Sequence, residues 1–198
     1  MKKITIAAAF AALAGSANAI FVIDMESSVL TGTENVLFND DSLITTGTLV
    51  QGMTNNTSLI ANWYGAGEDL ITENAQVKAV DGSFNMFSVA MDDANLGIAA
   101  YQFNLNALGT GEITINLYEQ GSLSYSEIFS VDKQGPNAYR IYGTEKEVMS
   151  SISILSTVEL SGVSQNRISA MPGAVPEPAA FVALGIGLAG LLVRKRFS

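Results

Sequence analysis

Apolar and polar residues alternate along most of this 198-residue chain, and turn-forming residues separate the alternating runs. Alternation places one set of side chains on each face of a strand, whereas the spacing typical of an amphipathic helix is nearly absent. In the clearest pair of runs, Gly109-Thr110-Gly111 joins one at 99–105 to another at 113–118. The pattern predicts strands at 21–24, 35–38, 47–52, 59–64, 76–80, 84–91, 99–105, 113–118, 123–129, 138–142, 150–155 and 165–170.

Short strands separated by short turns favour an all-β fold. We expect an antiparallel two-sheet sandwich, jelly-roll-like in its layout, because each strand has one apolar face to bury. The chain shows no internal repeat and no second zone of composition, so residues 20–170 are predicted to form one β-sandwich ectodomain. Asp81-Gly82, between two of the runs, predicts a β-hairpin.

The first nineteen residues have the three parts of a secretory signal peptide. A basic start at Lys2 and Lys3 precedes an apolar run at 4–13, and Ala17 and Ala19 fit the small-x-small rule for cleavage. The sequence therefore predicts a signal helix over 1–19, export of the chain and cleavage by signal peptidase after Ala19.

A second targeting device occupies residues 171–198, after the predicted ectodomain. A short linker leads to the motif Val175, Pro176, Glu177 and Pro178, then to an uncharged apolar run at 179–193 and a basic tail of Arg194, Lys195 and Arg196. The apolar run predicts a short transmembrane helix of roughly 22 Å, against about 30 Å for a bilayer core. Positive charge favours the cytoplasmic side, so the ectodomain is expected outside.

These three C-terminal parts, in this order, resemble the PEP-CTERM sorting signal of Gram-negative bacteria. The resemblance rests on Pro176, Glu177 and Pro178, the apolar run and the basic tail; Phe181 stands where many members have Trp or Thr. It implies recognition by exosortase, removal or transfer of the tail, and delivery through the inner membrane to the cell surface or the extracellular polysaccharide matrix. The membrane is then a partner at least in transit.

Composition excludes several classes of function. The chain has no Cys and no His, which removes disulfides, His-based nucleophile triads and zinc sites built on these residues. Five of the ten Lys and Arg residues, but only one of the nineteen acids, lie in the terminal signals, so the region between them carries a net charge of −13. Such a surface repels nucleic acid.

Acidic residues gather in the predicted turns and are the candidate metal ligands: Asp40, Asp41, Asp81, Asp92 and Asp93. Calcium prefers carboxylate, amide and carbonyl oxygens, so calcium is the one cofactor that we consider. The alternative is that these residues only cap turns in an acidic protein, since Asp also favours turns without a metal.

Exposed tyrosines are the candidate ligand-binding residues, because flat rings stack on sugars. Tyr64 and Tyr118 fall on the more polar faces of their strands, whereas Trp63 shares a face with Leu59 and Ala61 and is expected in the core.

The leading hypothesis is a non-enzymatic, exported surface or extracellular-matrix β protein with a structural or adhesive role. The alternative is a calcium-assisted carbohydrate-binding module that uses the acidic turns and the exposed tyrosines. A third hypothesis is a glycan hydrolase with two carboxylates, for which the sequence singles out no pair. We therefore predict no catalytic residues, and extracellular polysaccharide as the partner.

Overall fold

A computed structural model describes residues 21–144 and 147–173, and the predicted signal helix, transmembrane helix and sorting motif lie outside these ranges. Within them no helix is long and apolar enough to span a bilayer. The described strands are β1 (Phe21–Asp24), β2 (Glu34–Leu37), β3 (Thr46–Gly47), β4 (Leu49–Thr54), β5 (Ile60–Gly65), β6 (Leu70–Glu73), β7 (Gln76–Ala79), β8 (Phe84–Met91), β9 (Leu96–Ala107), β10 (Gly111–Glu119), β11 (Ser122–Val131), β12 (Ala138–Gly143) and β13 (Ser151–Pro172).

Alternation in the sequence becomes alternation of burial in the strands. Ile113, Ile115 and Leu117 of β10 are fully buried, while the residues between them are partly exposed. Because successive side chains of a strand point to opposite faces, each such strand contributes one apolar row to the core. The predicted all-β class with antiparallel pairing is confirmed.

The two layers of the sandwich are hydrogen-bonded into one sheet with barrel-like closure. One layer runs β11-β10-β13-β8-β5-β4, and the other runs β1-β12-β9-β13-β2. Strand β13 belongs to both layers, and β2 also joins them because it pairs with β13 and β4. The predicted jelly-roll-like path stays a prediction.

The prediction of two separate strands at 150–155 and 165–170 was wrong. The structure has one strand of 22 residues, and it extends to Pro172, which pairs with Leu96 and thus reaches into the predicted linker. Register shifts along β13, including one between Ser164 and Arg167, let this strand bend while it stays paired. Gln165, at that shift, has a left-handed φ of 51°. Bulges of this kind increase the local bend of a strand.

Two further differences concern β6 to β8. Strand β6 was not predicted, and it forms a hairpin with β7 through Asn74 and Ala75, whose φ values of 51° and 59° are left-handed. The Asp81-Gly82 hairpin prediction was wrong, because β7 pairs with β6 and β13 while β8 pairs with β5 and β13. The Asp81-Gly82 turn therefore connects two strands that are not paired with each other.

Aromatic side chains fill the centre of the fold. Trp63 is fully buried, as predicted. Phe103 lies between two tyrosine rings, with centroids 4.6 Å from Tyr101 and 5.5 Å from Tyr139. Burial raises the pKa of the Tyr139 hydroxyl to about 12, so this core tyrosine is neutral at physiological pH.

A chain of hydrogen bonds crosses this apolar core. Trp63 Nε1 donates to the Tyr101 hydroxyl at 3.2 Å, the hydroxyl donates to Asn166 Oδ1 at 2.6 Å, and Asn166 Nδ2 donates to the Val163 carbonyl at 3.3 Å. Burial raises the pKa of Tyr101 far above its usual range, although the Trp63 hydrogen bond opposes the shift. The contacts thus join β5 of one layer to β9 of the other layer and to the part of β13 that pairs with β9.

Replacing Tyr101 with Phe should lower the free energy of unfolding by about 1–3 kcal/mol, because it leaves buried donor and acceptor groups of Trp63 and Asn166 without a partner. Urea unfolding followed by tryptophan fluorescence measures this. Tyr118→Phe removes a hydroxyl from a half-buried ring outside this chain of hydrogen bonds and serves as the control, with an expected change within about 0.5 kcal/mol. Equal stability of Tyr101→Phe and the parent protein would contradict the prediction.

Candidate functional site

Polar side chains form a row across the outer face of five neighbouring strands. In register, Tyr64 of β5 lies opposite Ser88 of β8, Ser88 opposite Ser153 of β13, Ser153 opposite Asn116 of β10, and Asn116 opposite Ser126 of β11. Asn116 Nδ2 donates to Ser153 Oγ at 3.3 Å, and Ser126 Oγ donates to Asn116 Oδ1 at 2.7 Å. We call these five residues the polar row.

A second set of polar groups, the amide cluster, lies beside Tyr64 and comprises Gln51, Asn62, Tyr64 and Asp92. Asn62 is its centre: its Oδ1 accepts from Gln51 Nε2 at 3.1 Å, and its Nδ2 donates to Asp92 Oδ1 at 3.0 Å and to the Tyr64 hydroxyl at 3.2 Å. Asn62 is only 4% exposed. Its amide therefore holds an aromatic ring, an amide and a carboxylate in fixed positions.

The strands explain why the amide cluster forms. Asn62 lies between Ala61 and Trp63, which are both fully buried, and it pairs with Gln51 on β4. Asp92 directly follows β8, and its backbone N–H donates to the Ile60 carbonyl at 2.9 Å. Regular pairing of β4, β5 and β8 thus brings three polar side chains from distant parts of the sequence to one place.

The two candidate tyrosines share the outer face but are far apart. Tyr64 is 39% exposed, and Tyr118 is half-buried on β10, where it pairs with Ser151. Strands β5 and β10 are separated by three strand spacings, which corresponds to about 14 Å. A ligand that contacts both rings must therefore be extended.

The candidate calcium ligands are all exposed and lie in several turns. Asp40 accepts hydrogen bonds from the Ser42 hydroxyl and the Ser42 N–H, which lower its pKa, and Asp93 accepts from the N–H of Asn95 at 2.9 Å. These two carboxylates act as turn caps. In the described part of the chain, no three His, Cys, Asp or Glu side chains form a group that could hold a metal ion. Calcium binding stays a prediction.

The two described arginines have structural partners. Arg140 forms ion pairs with Asp24 and Glu26, and Arg167 donates to Asn35 and to the carbonyl and hydroxyl of Thr33. The two guanidinium groups thus hold β1, β2 and the loops beside them near the start of the domain.

Gln51 and Asn62 were missed as site residues at the level of sequence. The signal was present, because each is a polar residue between inward-facing residues of a predicted strand. Their contact with Asp92 was not readable, because it depends on the register of β4, β5 and β8.

A family model described as the PEP-CTERM protein-sorting motif matches residues 174–196. The chain thus carries a PEP-CTERM sorting motif, which confirms the resemblance seen in its sequence. The motif implies processing by exosortase and an exported protein that passes through the membrane on its way to the surface.

A search of curated proteins gave no match. A solved structure titled "BiXyn10A CBM1 APO" is similar at 11% sequence identity and a TM-score of 0.25, with 74% of this chain and 94% of that chain covered. At that TM-score the similarity carries no argument about this protein.

Replacing Asn62 with Ala should lower the free energy of unfolding by about 1–3 kcal/mol, because Gln51, Tyr64 and Asp92 lose a shared, buried partner. Asn95→Ala, at an exposed position in the turn that follows Asp92, is the control and should change stability by at most about 0.5 kcal/mol. Chemical denaturation of the variants measures both values. If the two variants were equally stable, Asn62 would not be the centre of the amide cluster.

Proposed function

We propose that this protein is a non-enzymatic component of the cell surface or the extracellular matrix, with a structural or adhesive role. Exosortase would recognise Pro176, Glu177 and Pro178, and the ectodomain would then stay at the surface or in the polysaccharide matrix. The observation that carries the proposal is the position of the motif. Strand β13 ends at Pro172, and the matched motif begins at residue 174.

The positions of the first and last strands of the domain support this role. Phe21 of β1 pairs with Gly143 of β12, while the neighbouring Tyr142 pairs with Ala100 of β9, which in turn pairs with Ser169 of β13. The domain therefore starts and finishes at the same end of one layer. Strands β1 and β13, which carry the two ends of the described domain, are three strand spacings apart, or roughly 14 Å. An ectodomain attached at one end leaves its outer face free for contact with a matrix.

The amide cluster and the polar row supply a surface for adhesion. Both are built from uncharged hydroxyl and amide groups, apart from the carboxylate of Asp92, and Tyr64 adds an exposed ring. Such groups hydrogen-bond to sugar hydroxyls.

Replacing Pro176, Glu177 and Pro178 together with Ala should leave the C-terminal tail uncut and the protein in the inner membrane, because the sorting enzyme loses its recognition motif. Cell fractionation and the mass of the mature protein measure the outcome.

The control for this experiment replaces Asp40, Asp41 and Ser42 with Ala, which alters an exposed turn of equal length and leaves the motif intact. This control should be sorted like the parent protein. Normal removal of the tail from the motif variant would refute sorting through Pro-Glu-Pro.

The second candidate function is a carbohydrate-binding module, and the amide cluster favours it. An exposed ring beside fixed amide and carboxylate groups is a common way to orient a polar ligand. The separation of Tyr64 and Tyr118 suits a chain of sugars rather than a single one. Calcium assistance, with ligands among the acidic turn residues, belongs to this candidate.

Tyr64→Ala should weaken binding to polysaccharide isolated from the producing cells by roughly tenfold, which corresponds to about 1.4 kcal/mol. Affinity electrophoresis with and without calcium measures the binding. Leu108→Ala is the matched control, because Leu108 is 43% exposed and lies outside the amide cluster and the polar row. If the parent protein migrated unretarded in both conditions, the carbohydrate-binding candidate would be excluded.

A further inference from the structure

Among the described strands, β1, β3 and β11 each have one pairing partner, and β3 has only two residues. Strand β1 pairs only with β12 and has four residues, and its end is tied down by the ion pair between Asp24 and Arg140. Strand β11 pairs only with β10 and has ten residues. Natural proteins usually protect edges by shortness, charge or proline. The β1 edge is protected in this way, because it is short and carries the Asp24–Arg140 ion pair.

Strand β11 has almost none of these protections. It contains no Pro and no Lys or Arg, and its one charged residue is Glu127. Glu127 lies on the inner face opposite Ile115, where its carboxylate accepts a hydrogen bond from the Tyr125 hydroxyl at 2.9 Å. The backbone edge of β11 is therefore open, and its own outward-facing residues are uncharged, while the carboxylates of Glu112 and Glu119 on β10 lie beside Ser130 and Ser124.

An apolar row leads across the outer face to this edge. Met86 of β8 lies opposite Leu155 of β13, Leu155 opposite Thr114 of β10, and Thr114 opposite Ile128 of β11. Met86, Leu155 and Ile128 are 36%, 39% and 61% exposed. The row is more exposed at the β11 edge than at β8 or β13. An additional strand paired with β11 would cover this exposed end.

We propose that β11 is a self-association edge and that a second copy of this chain pairs antiparallel with it around Ile128. A twofold axis at this residue places Ile128 opposite its own copy, Ser126 opposite Ser130, and Glu127 opposite Phe129. Every pair then joins residues of the same face, because paired residues in antiparallel strands share a face. The apolar rows of the two copies become continuous.

Two observations select this register. The register shift between Leu117 and Tyr118 disturbs β11 near Leu123, so 125–131 is the regular part of the strand, and Ile128 is its midpoint. An axis at Glu127 would instead place two carboxylates directly opposite each other, which is destabilising. A second copy is the occupant because the edge is complementary to itself in this register, with Ile128 against Ile128 and serine against serine.

Cysteine cross-linking tests the proposal cleanly, because the chain has no Cys of its own. Ile128→Cys, in the full chain produced in cells that export it, should give a covalent dimer on mild oxidation. Directly opposed antiparallel residues have Cα atoms about 4.5–5.5 Å apart, within the range that a disulfide bridges.

Val29→Cys is the matched control, because Val29 has the same exposure of 61% and does not lie on β11. Ile128→Cys should form about ten times more dimer than the control on a non-reducing gel, since only its thiol faces its own copy. A second pair tests register: Ser126→Cys with Ser130→Cys in one chain should also cross-link copies.

Ile128→Lys supplies a second measurement on the purified full chain. It brings two ammonium groups together at the axis, so light scattering should show loss of the dimer that the parent protein and Val29→Lys form. A monomeric parent protein, or equal cross-linking of Ile128→Cys and Val29→Cys, would overturn the proposal. Cross-linking at Ile128 without cross-linking of the Ser126 and Ser130 pair would overturn the register.

Discussion

The fold depends on one strand, β13, being hydrogen-bonded in both layers. Leu160 is the point of transfer, because it pairs with Phe84 of β8 and with Ala107 of β9, and its side chain is fully buried. Residues before it belong to one layer and residues after it to the other. A strand can change layers only where its ladder is interrupted, and the register shifts that follow Leu155 supply these interruptions.

The buried hydrogen bonds around Tyr101 depend on the same bend. Asn166 faces the core because Gln165 takes a left-handed conformation at a register shift. In that position Asn166 accepts from Tyr101, which in turn accepts from Trp63 of β5. Apolar packing alone tolerates a slip of one strand past another, whereas a buried polar contact does not, because a slip leaves its groups unsatisfied. These contacts thus fix the register between the layers.

Local patterns carried most of the strand prediction. The apolar faces of β9 and β10 were readable because Tyr101, Phe103 and Leu105, and then Ile113, Ile115 and Leu117, alternate with more polar residues. The burial of Trp63 followed from its neighbours Leu59 and Ala61. The continuity of β13 was not readable, because Ser156, Ser161 and Gly162 resemble a loop in composition. Pairing from both sides, which sequence does not display, makes this stretch a strand.

The candidate site was only partly predictable for a similar reason. Tyr64 and Asp92 were singled out separately, for stacking and for metal binding, yet the structure joins them through Asn62. A side chain between buried neighbours in one strand does not reveal which side chains flank it in the next strand. That information lies in the register, which long-range pairing sets.

The order of the strands also links folding to export. Strand β13 is the last strand before the sorting motif, and it pairs with β2, β7, β8, β9 and β10. Closure of the layers therefore requires the final residues of the ectodomain, however early the other strands appear during synthesis. Because β13 ends at Pro172 and the matched motif begins at residue 174, every described strand precedes the motif in the chain. Recognition of the motif and completion of the fold thus involve neighbouring residues. Because the chain has no Cys, the fold depends on the packing of its core and on β13 rather than on disulfides.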